Sequence, residues 1–509
     1  MLKKIVASLM VAVAGMSLVG CTNSGEVTKT STEVTPTSQT DPGLPRKGSV
    51  TQTGLNVNPK SVVGYVGDPM PFYDNGEMNV FYLQDGRNTN LGFHPFALMT
   101  TTDYIHYNDH GMVIPFVNDL ESPDFALGTG SVIKDKNGLY HCYYTGHNDY
   151  KNSGLPYFEK IQHATSNDKI SWMKHPEDGF FGGENDFRDP YVYLGDDNAY
   201  HMLITTRNNG AGVIKEYTST NLSSWTYKGI FFKNDSGSYN MECPTFIKYN
   251  DYYYLSFSEQ GSKRVTHYRY KKNLNDNWIK PENDYVDGEG FYAGRIEKDS
   301  SKLYMFGWCA TRVGEYDTGN LDWGGNLVVH ELIQKENGEL NAKMIDSVKD
   351  TLSHEVEYKL KNGDNISSMQ FDKSAFTSYC LEKLSKNITR ISFDVEIKGN
   401  SGSFGLSFNT TKNNAVSNEI LSFALDNNII AYYANAESTT KFGKLDVFVP
   451  VSYGNTTKHI DIIIDGQIVS AYLNNERALT TRFYDMPQQS FSFYVNKADV
   501  NFKNIKFFE

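Results

Sequence analysis

From about Ser61 onward the chain is a succession of short apolar runs, each opened by a turn signal. Met78-Asn-Val-Phe-Tyr-Leu83 follows Asn75-Gly76, and Leu139-Tyr-His-Cys-Tyr-Tyr144 follows Asn137-Gly138. Tyr252-Tyr-Tyr-Leu-Ser-Phe257 follows Asn250-Asp251, and Leu303-Tyr-Met-Phe-Gly-Trp308 follows Asp299-Ser300. Aromatic-rich runs of this length behind two-residue turns predict strands in hairpins. A weak repeat overlies them. Thr101-Thr-Asp-Tyr-Ile-His-Tyr107 recurs as Ser166-Asn-Asp-Lys-Ile-Ser-Trp172, as Ser219-Thr-Asn-Leu-Ser-Ser-Trp225, and more loosely as Lys272-Asn-Leu-Asn-Asp-Asn-Trp278. A period of roughly 50–65 residues with several strands per unit predicts propeller blades, about five of them.

After about Asp346 the texture changes. Ile391-Ser-Phe-Asp-Val-Glu-Ile397 and His459-Ile-Asp-Ile-Ile-Ile-Asp465 alternate apolar and polar residues, which predicts a β-sandwich. Before Ser61 the chain is rich in Ser, Thr, Gly and Pro, too polar for a core, and reads as a tether. The expected fold class is therefore all-β. Its expected organisation is a leader over 1–20, a tether over 21–58, a five-bladed propeller over 59–345 and a sandwich over 346–509.

The leader has two Lys within its first four residues and an apolar or small stretch from Ile5 to Val19, too short to span a bilayer. It ends Leu18-Val19-Gly20-Cys21, which resembles a bacterial lipobox. That likeness implies lipidation of Cys21 and an extracytoplasmic protein anchored to a bacterial cell membrane or outer membrane.

Composition narrows the function. The 509 residues include 34 Tyr and 30 Phe, a weighting that suits strands. The net charge of −12 and a pI near 5.5 argue against nucleic acid as a partner. Beyond Cys21, the cysteines Cys142, Cys243, Cys309 and Cys380 are widely spaced, with no Cys/His cluster. They read as small buried hydrophobes, and no metal or cofactor is expected.

Three acidic residues stand at run boundaries beside Pro or Cys-Pro: Asp68 in Gly67-Asp-Pro69, Asp189 in Asp186-Phe-Arg-Asp-Pro190, and Glu242 in Glu242-Cys-Pro244. Pro after such a residue restrains it to an extended or turn conformation. First strands of propeller blades converge on the central channel, so three blades would bring three carboxylates together. Glycosidic cleavage needs such a set, one acid for the leaving oxygen and one carboxylate to attack or to activate water. Trp308 and Trp323 are candidates to stack on a sugar face.

Asp186-Phe-Arg-Asp-Pro190 and Glu242-Cys-Pro244 closely resemble two signatures of glycoside hydrolase family 32, which holds invertases, levanases and inulinases. Gly128-Thr-Gly-Ser131, Asp287-Gly-Glu-Gly-Phe-Tyr-Ala293 and Trp323-Gly-Gly-Asn-Leu-Val-Val-His-Glu-Leu332 are similar to further family segments. The resemblance implies a β-fructosidase acting on sucrose-like oligosaccharides or fructans. It implies Asp68 as nucleophile, Glu242 as acid/base kept protonated by burial, and Asp189 as transition-state stabiliser helped by Arg188. Thr129, Tyr292 and Gln84 would line the pocket, Gln84 because it shares a strand face with Tyr82. The first motif departs from the family: Gly67 replaces an Asn, removing one polar contact, and Met70-Pro71 replaces Asn-Gly and alters the pocket floor. An arabinan- or xylan-acting hydrolase and a silent glycan-binding lipoprotein are the competing readings.

Overall fold

The computed structural model describes residues 47–51, 54–87, 94–150, 152–184, 186–261, 263–408, 419–434, 444–484 and 490–509. The leader, Cys21 and most of the expected tether lie outside them.

Hairpin after hairpin builds the predicted blades. Blade I holds Tyr65–Asp74, Glu77–Asp85, Phe96–Thr101 and Asn108–Ile114; blade II holds Ala126–Lys134, Tyr140–His147, Glu159–Ser166 and Met173–Lys174. Blade III holds Arg188–Leu194, Tyr200–Asn208, Ala211–Ser219 and Thr226–Lys233. Blade IV has Met241–Tyr249, Tyr252–Glu259 and Thr266–Lys271, with Ile279 bridging to Tyr270 where a fourth strand would run. Blade V has Phe291–Lys298, Leu303–Arg312, Leu321–Gln334 and Leu340–Lys343. The first strands of successive blades pack side by side, and that of blade V returns to that of blade I. A bridge between Gly325 and Val66 joins the two blades at the seam.

The sequence repeat is one turn used blade after blade. Thr101, Ser166 and Ser219 end the third strands, and each hydroxyl accepts the amide three residues on: Tyr104 at 2.8 Å, Lys169 at 2.9 Å and Leu222 at 2.9 Å. The Asp or Asn two residues after the hydroxyl accepts the next amides, as Asp168 does from Ile170 and Ser171. The closing aromatic then wedges against the preceding blade. Trp172 lies edge-on to Phe81 at 5.9 Å, and Trp225 to Tyr143 at 5.3 Å.

The last part of the stretch read as a tether includes a short strand. Residues Lys47–Thr51 pair antiparallel with the last strand of blade I, a backbone docking that requires no apolar side chains. Asn58 is held too, its amide donating to Asp465 at 2.7 Å and its carbonyl accepting from Asn326.

A short helix, Asp346–Thr351, leads from blade V to two six-stranded antiparallel sheets. The alternation in Thr457–Asp465 explains both faces of its sheet. Ile460, Ile462 and Ile464 enter the sandwich core, while Ile463 points the other way and joins Ile468, Tyr472 and Ala478 against blade V. An apolar residue at the face that alternation reserves for solvent marks the docking side. Polar clamps complete the joint. Asp287 accepts from the Thr480 amide at 2.8 Å and lies 2.8 Å from His330, whose other ring nitrogen is 3.0 Å from the Tyr472 hydroxyl. Buried Arg482 donates to Ala310 O at 3.1 Å and to Asn326 at 2.6 Å. Cys142, Cys243 and Cys309 are buried thiols outside any disulfide, and Cys380 is buried in the sandwich.

Arg482→Ala leaves these buried acceptors unpaired across the joint and should cost on the order of 3 kcal/mol. A calorimetric scan should show the sandwich and propeller melting apart; one cooperative transition at the wild-type temperature would mean the clamp contributes nothing.

Candidate active site

Each first strand carries a β-bulge at one level of the channel. Opposite one residue of the second strand stand two of the first: Asp68-Pro69 in blade I, Asp189-Pro190 in III, Cys243-Pro244 in IV and Ala293-Gly294 in V. In blade II, Thr129 is the extra residue. The bulged residues Asp68, Asp189, Cys243 and Ala293 take φ of 40°, 57°, 54° and 54°. This is the left-handed region, and it costs about 1–3 kcal/mol per residue. Pro lacks the N–H that the bulge would leave unpaired, so Asp-Pro and Cys-Pro suit this corner.

The bulges bring two consecutive positions per blade toward the mouth. The first of each pair are Gly67, Gly128, Arg188, Glu242 and Tyr292. The last three form a bonded arc: Arg188 donates to Glu242 Oε1 at 2.8 Å, and the Tyr292 hydroxyl donates to Glu242 Oε2 at 2.7 Å. The second of each pair are Asp68, Thr129, Asp189, Cys243 and Ala293. Thr129 donates to Asp68 Oδ2 at 2.8 Å, Trp308 Nε1 to Asp68 Oδ1 at 3.0 Å, and the Cys243 amide to Asp189 Oδ2 at 2.9 Å. The Asp189 amide in turn donates to Thr145, a residue with no motif to announce it.

Burial sets the electrostatics. It is the main cause that raises Asp68, opposed by the Thr129 and Trp308 donors. Asp189 is pushed up to about 7 by burial, with Arg188 opposing and Glu242 and Asp68 adding to the rise.

Asp68, Asp189, Glu242, Arg188, Thr129, Tyr292 and Trp308 thus meet in one contact network. Two roles change. Arg188 was expected beside Asp189 on sugar hydroxyls, but its guanidinium is engaged by Glu242, by Asp186 at 2.8 Å and by Glu159 at 3.4 Å. Trp308 was expected at the rim, but it is fully buried and serves as a donor to Asp68. Gln84 does not join: it is buried within blade I and donates to Ser61 at 2.5 Å. The Gln84–Tyr82 strand face turns into the blade, away from the mouth.

Gly67 has a local reason. A Cβ there would lie 2.2 Å from the ring of Trp323, which covers the strand and is itself stacked on His94 at 4.2 Å. The glycine leaves the room that the tryptophan ring fills. Met70 is buried, and its sulfur accepts the Gly130 amide at 3.1 Å. Half-buried Arg264, missed by any motif, lies over Tyr292 at 4.5 Å and Trp308 at 5.0 Å.

Comparison with known proteins agrees with this geometry. The model for the glycosyl hydrolases family 32 N-terminal domain matches residues 60–342, and that for the family's C-terminal region matches 351–509. The chain belongs to glycoside hydrolase family 32. A raffinose invertase of Escherichia coli is 27% identical over 314 residues, 56% of this chain and 63% of that one. A sucrose-6-phosphate hydrolase of Vibrio alginolyticus is 24% identical over 481 residues, 89% of this chain and 88% of that one. The match to the E. coli invertase thus spans less than two thirds of its length. Among solved structures, the Bombyx mori GH32 beta-fructofuranosidase aligns with TM-score 0.67 at 16% identity over 89% of this chain and 93% of that one. An exo-inulinase from Aspergillus awamori aligns with TM-score 0.68 at 12% identity over 89% and 96%. At these identities the structural matches show the propeller-plus-sandwich fold.

The Gly67–Trp323 packing predicts a coupled pair in this family 32 chain. Gly67→Ala should cost about 1–3 kcal/mol by overpacking, and Trp323→Ala in the same chain should recover part of it. A double-mutant cycle on melting temperature with strictly additive losses would contradict the contact.

Proposed function

We propose that this chain hydrolyses β-fructofuranosidic bonds in sucrose-like oligosaccharides or fructans, with retention. The observation that carries the reading is the meeting of Asp68, Asp189 and Glu242 from three blades at one mouth, among donors that hold each in place. Asp68 attacks the anomeric carbon of the fructosyl unit. Glu242 gives its proton to the leaving oxygen, then takes one from the water that releases the sugar. Asp189 binds ring hydroxyls as charge develops. The invertase and hydrolase relatives and the inulinase neighbour support this choice of sugar.

A phosphorylated disaccharide is a second reading, favoured by Arg264 above the two aromatics that touch the carboxylates. The location proposed from the Leu18–Cys21 box favours unphosphorylated sugars outside the cytoplasm.

A screen against sucrose, its 6-phosphate, inulin, levan, arabinan and xylan tests the reading, with turnover of a fructoside expected. Within it, Glu242→Gln should lose about 10²–10⁴-fold on poor leaving groups and much less on good ones. An equal loss for both would remove Glu242 from the acid role. For the location, wild type should take up a labelled fatty acid and Cys21→Ala should not; an unlabelled wild type would end the lipoprotein proposal.

A further inference from the structure

Just past the bulges the five first strands meet in a second ring. Met70 stands two positions after Asp68, and Ser131, Tyr191, Thr245 and Arg295 stand two positions after Thr129, Asp189, Cys243 and Ala293. Each blade thus contributes one residue at the same level. The five line a cavity of about 160 Å³ in the channel, with Glu297 further along the blade V strand.

The ring is rich in donors and poor in acceptors. Arg295 is 1% exposed, and its Nε and Nη2 have no hydrogen-bond partner. Among the described residues no ion pair joins it to a carboxylate. Thr245 is also 1% exposed, and its hydroxyl has no partner. The Ser131 hydroxyl accepts the Val192 amide at 2.9 Å, which leaves its own proton to give. Burial pushes the Tyr191 phenol upward, so it keeps its proton. Met70 turns its sulfur to the Gly130 amide.

Such a ring suits an anion better than water. A water accepts two hydrogen bonds and must also find acceptors for its own protons. An anion accepts from every donor and asks for no acceptor. It also compensates a guanidinium whose burial is otherwise costly, and hydrogen bonds to a charged group are the stronger kind.

We propose that this ring is a binding site for one small inorganic monoanion of chloride size, held in the channel by Arg295, Thr245 and Ser131, one layer beneath the carboxylates. The site is separate from the sugar site and does not depend on which sugar is cleaved. Two carboxylates bear on its charge. Above it, Asp68 has its oxygens engaged by Thr129 and Trp308. Further along blade V, Glu297 is pushed up to about 7 by burial, so at and below neutrality it gives up much of its charge. One guanidinium between two carboxylates matches a single negative charge; a divalent phosphate or sulfate would double the repulsion.

An anion that binds the folded chain and not the unfolded one raises the melting temperature. The test melts the full chain in rising sodium chloride, with sodium gluconate, whose anion is too large for the ring, holding the ionic strength constant. Chloride should raise Tm saturably, by about 2–3 °C at a hundredfold excess over its dissociation constant. Arg295→Gln should abolish this response and Thr245→Val should weaken it. A response that persists unchanged in the variants, or a wild type that does not respond, overturns the proposal. Should Arg295→Gln fail to fold, Thr245→Val decides on the same terms.

Diffraction from crystals grown in sodium bromide locates the ion. An anomalous peak is expected inside the ring, within hydrogen-bond distance of Arg295 Nε and Nη2. Water there with no bromide refutes the site. A bromide peak in a protein whose melting ignores chloride would mark an adventitious ion only, and would overturn the proposal as well.

Discussion

The site depends on a backbone event repeated around the ring. Where each first strand reaches the channel mouth, one bulge places two of its residues against one residue of its neighbour. Without the extra residue, strand alternation would send one member of each pair into the blade. With it, Asp68 and its neighbours in the ring all turn toward a common axis. The left-handed φ at Asp68, Asp189, Cys243 and Ala293 is a local cost borne by the packing of five blades. The cost recurs at one level, so the carboxylates share that level, and the hydrogen-bonded arc from Arg188 through Glu242 to Tyr292 follows from the same geometry.

Gathering carboxylates in a buried mouth creates an electrostatic problem, which the protein answers differently at each one. Asp68 is met by a hydroxyl and an indole N–H. Glu242 is met by an ion pair and a phenol. Asp189 receives one backbone amide and remains prone to protonation near neutrality. Three chemically similar groups thereby acquire three environments, as the proposed division of labour between attack, proton transfer and hydroxyl binding requires. The sandwich takes part indirectly. It buries blade V, whose strands supply Tyr292, Trp308 and Trp323, through Asp287, His330 and Arg482.

Much of this was legible in the chain. Turn pairs and aromatic runs disclose the hairpins, and the Ser/Thr-x-Asp repeat proves to be a hydrogen-bonded turn. The Pro following Asp68, Asp189 and Cys243 marks the corners. What escaped is what backbone geometry decides. Gln84 and Tyr82 share a face as expected, but which face meets the channel depends on the bulge opposite them. Trp308 reads as a rim aromatic because its register with Tyr292 is invisible until the strands pair. Arg264 lies in no motif, and only folding brings it to the site. Residues 47–51 look like linker because pairing at a strand edge draws on the backbone, not on side-chain pattern.

The central claim is that the bulges deliver Asp68 as the attacking group, with Glu242 assisting from the neighbouring arc. The most direct measurement is acid-quench mass spectrometry of Glu242→Gln turning over a fructoside with a good leaving group. The account predicts a hexosyl ester that accumulates on the peptide containing Asp68 and disappears in Asp68→Asn. An adduct on another residue, or a burst-free reaction that releases product of inverted configuration, would contradict it.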